Sequence, residues 1–305
     1  MKKNIQKWID RNIDKNEVIN KTILITGGNS GIGFEVAKIC AYLKMNILLA
    51  VRNPARGEQA KNDILKLYPN VDISIHYVDV SSKQSINQFA DNIKENSIDI
   101  DIFYHNAGVF NIPHSYSKDG YELVMATNAI SSYLLINELI PYFKSLNHEV
   151  KFILTTSVLA KKARINYNDL FFKKKYNKWK IYSSSKLINV HLYLYLKEYL
   201  KNSNIMPLLV HPGATASPLI KKAYPKWFSP CALLFMKIFF HKVDKASLST
   251  IALLSKKYSG YGFVGPRGIY NLSGYPKGNK ITKRMEKDYQ KTVMSLENIL
   301  KTPLL

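Results

Sequence analysis

Tyr182 and Lys186 stand four residues apart, and such a pair can move a proton. A helix turns once in about 3.6 residues, so positions i and i+4 share a face. A free tyrosine titrates near pH 10 and is a poor acid or base at neutral pH. A neighbouring ammonium favours the phenolate and pulls that value down. A phenol so tuned can exchange a proton with a substrate oxygen. In a chain with 20 tyrosines the pair alone reads as an ordinary helix surface. Ser157 and the loop Thr26-Gly27-Gly28-Asn29-Ser30-Gly31-Ile32-Gly33 change that, because together they supply the parts of a hydride-transfer site.

The loop lies between a strand-length apolar run, 21–26, and a helical one, 31–44. Gly27, Gly31 and Gly33 permit a tight turn that brings backbone amides toward a pyrophosphate, and Asn29, Ser30 and Ile32 complete it. A helix N-terminus favours the negative charge there. The next apolar run, 46–51, ends in Arg52-Asn53 with no Asp or Glu. Cofactors without a 2′-phosphate usually meet a carboxylate at that point. A guanidinium instead matches phosphate geometry, so Arg52 predicts NADP(H). Asp79-Val80 and Asn106-Ala107-Gly108 close two further strands, at the edge where open α/β sheets bind ligands.

Positioning these residues requires strands spaced by helices. Strands are expected over 21–26, 46–51, 71–78, 100–105, 150–157, 205–211 and a short 268–271. Helices are expected over 31–44, 54–68, 82–95 with Ser81 as cap, 120–145 begun near Asp119, and 180–201. The pattern predicts an α/β fold with a doubly wound, Rossmann-like parallel sheet. Residues 1–20 read as a lead-in, 21–275 as a single domain with a substrate lid at 214–245, and 276–305 as a tail.

Composition narrows the function classes. Cys40 and Cys231 are the only cysteines, which excludes a disulfide framework and any CxxC metal site and fits a reducing compartment. The seven histidines show no ligand spacing, so no metal is expected. No stretch reaches 18 uncharged apolar residues, and the first residues lack the apolar run of a secretory signal. The net charge of +22 either attracts polyanions or reflects a Lys-rich composition. No nucleic-acid-binding motif accompanies it, so nucleic acid is not an expected partner.

Taken in order, the glycine loop, Asp79-Val80, Asn106-Ala107-Gly108, Asn128, Ser157, Tyr182-Ser-Ser-Ser-Lys186 and Pro212-Gly213 resemble the short-chain dehydrogenase/reductase family over roughly 20–275. Arg52-Asn-Pro-Ala-Arg-Gly57 and Asp119-Gly120 leading to Thr127-Asn128 are similar to its retinol dehydrogenase and WW-domain oxidoreductase branch. The resemblance implies Tyr182 as general acid and base, with Lys186 lowering its pKa and bonding the nicotinamide ribose. It implies Ser157 as the donor to the substrate carbonyl and Asn128 as holder of a relay water. Pro212-Gly213 would shape the nicotinamide pocket. The implied substrates are retinoid, steroid or other lipophilic alcohols and carbonyls, and the implied assembly is a homodimer or homotetramer. His105 departs from the pattern, since relatives often carry Asn there.

The lid region carries Ala232-Leu-Leu-Phe-Met-Lys-Ile-Phe-Phe240 among lysines. It is too short to span a bilayer and suits a greasy pocket, an anionic membrane surface through 225–245, or both. A cytoplasmic enzyme, peripheral on an intracellular membrane, is the expectation. Two other readings stay open: a protochlorophyllide-reductase-like enzyme, and a non-catalytic NADP(H)-binding scaffold at a membrane.

Overall fold

The computed structural model describes residues 1–174, 176–214, 242–268 and 271–305. The first half alternates strand and helix: α1 Lys3–Asn12, β1 Thr22–Thr26, α2 Gly31–Tyr42, β2 Asn46–Val51, α3 Pro54–Leu65, β3 Ile73–Tyr77, α4 Lys83–Glu95 and β4 Ile102–His105. Then come α5 Leu123–Met125, a π turn Ala126–Ile130, α6 Ser131–Ser145, β5 Val150–Thr155, α7 Lys178–Tyr199 and β6 Ile205–Val210. The remaining described elements are α8 Val243–Ala246, α9 Leu248–Ala252, α10 Lys256–Ser259, β7 Phe263–Pro266, β8 Pro276–Gly278, α11 Lys283–Glu286 and α12 Tyr289–Leu300.

The described strands form one sheet ordered β3-β2-β1-β4-β5-β6-β7-β8, parallel throughout except for antiparallel β7 and β8. Successive side chains on a strand face opposite ways, and β1 displays this. Leu24 joins a core with α4, α6 and α7, while Ile23 and Ile25 join one with α1, α2 and α9. Apolar residues on both faces are what a helix-covered parallel sheet needs. Because β1 to β6 run the same way, their C-terminal ends share one edge. The strand order turns around between β1 and β4, which opens a crevice there.

Local signals set several boundaries. Asn53 caps α3 by accepting from the Arg56 amide at 3.0 Å, and Pro54 takes the first helical turn. The cap of α4 is Ser82, not Ser81, whose amide and hydroxyl are both engaged by Asp79. Asp119 does not start a helix. Its carboxylate accepts from the Lys83 amide at 2.7 Å, at the head of α4. Glu122 caps α5 instead. The seventh strand lies at Phe263–Pro266 rather than 268–271. A Cβ on Gly268 would sit 2.2 Å from the Ser273 carbonyl oxygen, so that glycine belongs to a tight turn. Residues 269–270, Lys175 and nearly all of the expected lid and membrane-contact segment, 215–241, lie outside the described residues.

Among the described residues one helical stretch, Leu123–Ser145, is long and apolar enough to cross a membrane, but most of it is buried inside the molecule. At the other end of the chain, α12 buries Val293, Leu296 and Leu300 against α7. The segment after it is tied down by three donors. Tyr133 reaches the Thr302 carbonyl at 2.6 Å, Asn137 that of Pro303 at 2.8 Å, and Tyr195 that of Leu304 at 3.0 Å.

Candidate active site

A cavity of about 510 Å³ runs along the shared strand edge, from the glycine loop to the first turns of α7. Asn177 starts α7, its Oδ1 accepting from the Trp179 and Lys180 amides at 3.1 and 2.9 Å. One and two turns later Tyr182 and Lys186 meet the cavity. Ser157 faces them from the end of β5, where its hydroxyl accepts from the Leu159 amide and opens a short helical turn, Val158–Lys162.

Lys186 is only 4% exposed, and its Nζ donates to the Thr155 carbonyl at 3.2 Å. No carboxylate pairs with it among the described residues. Burial therefore pushes its pKa down to about 8. In the protein alone burial raises the Tyr182 phenol above its ordinary value, and a hydrogen bond from Ser157 opposes this only in part. The low dielectric that disfavours the phenolate also weakens the hold of Lys186 on its own proton.

Asn128 sits in the π turn and is fully buried. Its Oδ1 accepts from the Val109 amide at 2.8 Å, and its Nδ2 donates to the Val109 carbonyl at 2.9 Å and to Ser185 Oγ at 3.2 Å. Gly108 lies between it and Lys186. A Cβ there would stand 3.1 Å from Asn128 Oδ1 and 3.5 Å from Lys186 Nζ.

Behind this row His105 joins β1 to α6. Thr26 Oγ1 accepts from the Asn106 and Ala107 amides, so its own proton goes to His105 Nδ1 at 3.0 Å. Ser131 gives its proton to the Thr127 carbonyl, so its oxygen accepts from His105 Nε2 at 3.0 Å. The ring is thereby fixed as the neutral Nε2–H tautomer. Burial, with the charge of Lys186, keeps its pKa down at about 3.

At the other end Gly27 and Gly31 have φ of +67° and +59°, and a Cβ on Gly31 would meet nothing within 4 Å. That open space lies before the N-terminus of α2, where an anionic pyrophosphate fits. Gly33 does a different job. A Cβ there would come within 2.6 Å of both Asn106 Nδ2 and the Gly27 carbonyl, so it lets α2 pack on the loop. Arg52 and Asp79-Val80 line the cavity at the ends of β2 and β3, and Pro212-Gly213 at the end of β6. Of the catalytic and cofactor-binding residues expected from the sequence, all line the cavity except Gly33 and Asn128, which stand behind its wall. Sequence reasoning missed Phe110, Leu159, Trp179 and Leu272 as lining residues, and read Arg56 only as part of a motif.

Residues 21–226 match the family model of short chain dehydrogenases. The chain belongs to the short-chain dehydrogenase family. This dehydrogenase is 30% identical over 208 residues to retinol dehydrogenase 12 of Bos taurus, covering 68% of the chain and 66% of that protein. It is 28% identical over 249 residues to human retinol dehydrogenase 14, covering 77% and 74%, and 28% over 259 residues to human polyprenol dehydrogenase, covering 83% and 77%. It thus spans about two thirds to three quarters of these relatives and falls in the retinol dehydrogenase branch. A crystal structure of an uncharacterised Mycobacterium paratuberculosis protein shares the dehydrogenase fold at a TM-score of 0.75 and 24% identity, covering 96% of this chain and 99% of that one. The Pseudomonas aeruginosa RhlG/NADP complex shares it at 0.64 and 21% identity, covering 80% and 93%.

Proposed function

We propose that this dehydrogenase transfers a hydride between NADP(H) and a lipophilic alcohol or carbonyl of retinoid, steroid or aldehyde type. The observation that carries the cofactor reading is at the end of β2. Arg52 and Arg56 line the cavity there and no carboxylate does. The guanidinium of Arg52 would hold the 2′-phosphate, and the glycine loop the pyrophosphate. Asp79-Val80 would flank the adenine, and Asn106-Ala107-Gly108 with Pro212-Gly213 the nicotinamide end. When bound, the nicotinamide gives or takes the hydride.

The chain's own residues handle the proton. In reduction the Tyr182 phenol gives its proton to the substrate oxygen, and in oxidation the phenolate takes one from the alcohol. Ser157 donates to the same oxygen and stabilises the charge that develops on it. Lys186, which gives one bond to the Thr155 carbonyl and meets no carboxylate among the described residues, would favour the phenolate and bond a ribose hydroxyl. Asn128 would hold a water that returns the proton toward Lys186. The lipophilic substrate class rests on the relatives' names and on the apolar lid sequence. The same sequence, with its flanking lysines, supports a cytoplasmic enzyme resting on an intracellular membrane through 225–245.

The test is steady-state oxidation of NADPH and NADH with retinal, medium-chain aldehydes and steroid ketones, for the native chain and Arg52→Asp. Charge-assisted hydrogen bonds to a phosphate predict a preference for NADPH of about 10- to 100-fold, lost in the variant. Equal use of both nucleotides by the native chain would overturn the cofactor assignment.

A further inference from the structure

Phe110 lies against the ring of Tyr182, and Trp179 lies against Phe110. The Phe110 centroid lies 4.6 Å from that of Tyr182 and 4.7 Å from that of Trp179, at interplanar angles of 55° and 64°. Phe110 and Trp179 both line the cavity. Phe110 is 7% exposed, whereas Trp179 leaves 45% of its surface open. Trp179 and Tyr182 are three residues apart on α7 and so share a face.

Each side of this wall is anchored through its backbone. The Trp179 amide is held on Asn177 at the head of the helix. Phe110 follows Val109, whose amide and carbonyl are both bonded to Asn128. Apart from Lys186 at the reacting centre, the charged lining residues Arg52, Arg56 and Asp79 sit on the β2 and β3 ends of the cavity, across the glycine loop from Tyr182. The group attached to a carbonyl at Tyr182 and Ser157 therefore leaves the reacting centre along rings and aliphatic carbons, including Leu159.

We propose that Phe110 and Trp179 determine specificity by receiving a planar unsaturated group, an aromatic ring or a conjugated chain joined directly to the carbonyl. This rests on the reading of Tyr182 as the proton donor to that carbonyl. Aromatic rings gain from stacked and edge-on contacts beyond the area that they bury. A flat group reaches such contacts without freezing rotors, whereas a saturated chain loses rotamer freedom at each bond. The open face of Trp179 is the part of the wall that a ligand would cover.

The experiment compares kcat/KM for 2-naphthaldehyde and decanal, with NADPH, in the native chain, Trp179→Ala, Trp179→Phe and Phe110→Leu. Each variant is set against the native chain on the same aldehyde, which cancels intrinsic reactivity. Trp179→Ala is expected to lower the naphthaldehyde value about 3- to 10-fold and the decanal value less than about 2-fold. Trp179→Phe should recover most of the loss, and Phe110→Leu should follow Trp179→Ala. Equal losses on both aldehydes, or a greater loss on decanal, would overturn the proposal. Equilibrium dialysis of 2-naphthalenemethanol with NADP⁺, on Tyr182→Phe with and without Trp179→Ala, reads the wall without turnover. A Trp179-dependent affinity with no turnover by the native chain keeps the wall and removes the reductase reading. Affinity indifferent to Trp179 removes the wall and leaves the reductase reading to its own assay.

Discussion

The proton-transferring residues make sharply different demands on their surroundings. Tyr182→Phe deletes one oxygen, and general acid–base catalysis contributes roughly 10²- to 10⁴-fold. A loss of kcat in that range is expected, with NADPH affinity measured by fluorescence titration kept within about 3-fold of native. Lys186 holds a charge where the fold disfavours one. Its pKa is about 8 in the folded chain against 10.5 for an ordinary lysine. Between those values the unfolded state binds more protons, so the contribution of this group to stability rises with pH. The gap of about 2.5 pH units corresponds to roughly 3 kcal/mol. Without cofactor, Lys186→Met should be more stable than native at pH 7 and lose that advantage by pH 10.5 in denaturant titrations. A difference that does not vary with pH would contradict the buried-charge account. His105 was legible only as a departure from the family pattern, because its importance lies in partners 79 and 26 residues away, Thr26 and Ser131. His105→Ala strands both hydroxyls and is expected to cost about 2–4 kcal/mol by denaturant midpoint. His105→Gln should restore part of that loss.

Among the elements, those that repeat a simple period were legible. The Tyr182 and Lys186 spacing required a helix, and apolar runs of strand length gave the parallel sheet its members. The π turn at Asn128 was not legible, because one extra residue in a helical turn leaves the surrounding apolar pattern intact. That turn presents the Asn128 amide to both backbone groups of Val109, which an unbroken helix read from 120 did not foresee. Asp119 misled for a related reason. A short acidic residue before an apolar run signals a cap, but its carboxylate serves α4 across the fold. Gly268 sat in a strand-like stretch, yet the contact that requires glycine is with Ser273, in the same turn. The glycine loop was legible as a phosphate cradle, while the separate role of Gly33 came only from its approach to Gly27 and Asn106. Gly33→Ala pushes a methyl against a backbone carbonyl, so the loop must move. The expected outcome is a weakening of NADPH binding by at least about 10-fold, with far-UV circular dichroism unchanged. Native-like affinity in that variant would show that α2 can shift without disturbing the loop.

For the whole molecule, the packing of α12 on α7 supports the face opposite the sheet. Leu296 is fully buried there. Leu296→Ala removes core methyls and leaves a cavity, a change that costs about 2–5 kcal/mol. A fall in denaturant midpoint at unchanged slope is the expected record, and a fall below about 0.5 kcal/mol would mean that α12 contributes little. The net charge of +22 was plain in the composition, but its use was not, since charge describes a field and not a site. The ties from Tyr133, Asn137 and Tyr195 to the segment after α12 join positions 169, 166 and 109 residues apart. Closing such long loops is entropically slow to reward. In time rather than in space, the sheet and its nearer helices therefore assemble first, and this clasp closes behind them. Until it closes, the apolar faces of α6 and α7 stand bare. Refolding yield should thus fall as protein concentration rises, and recover when collisions between half-closed chains are made rare.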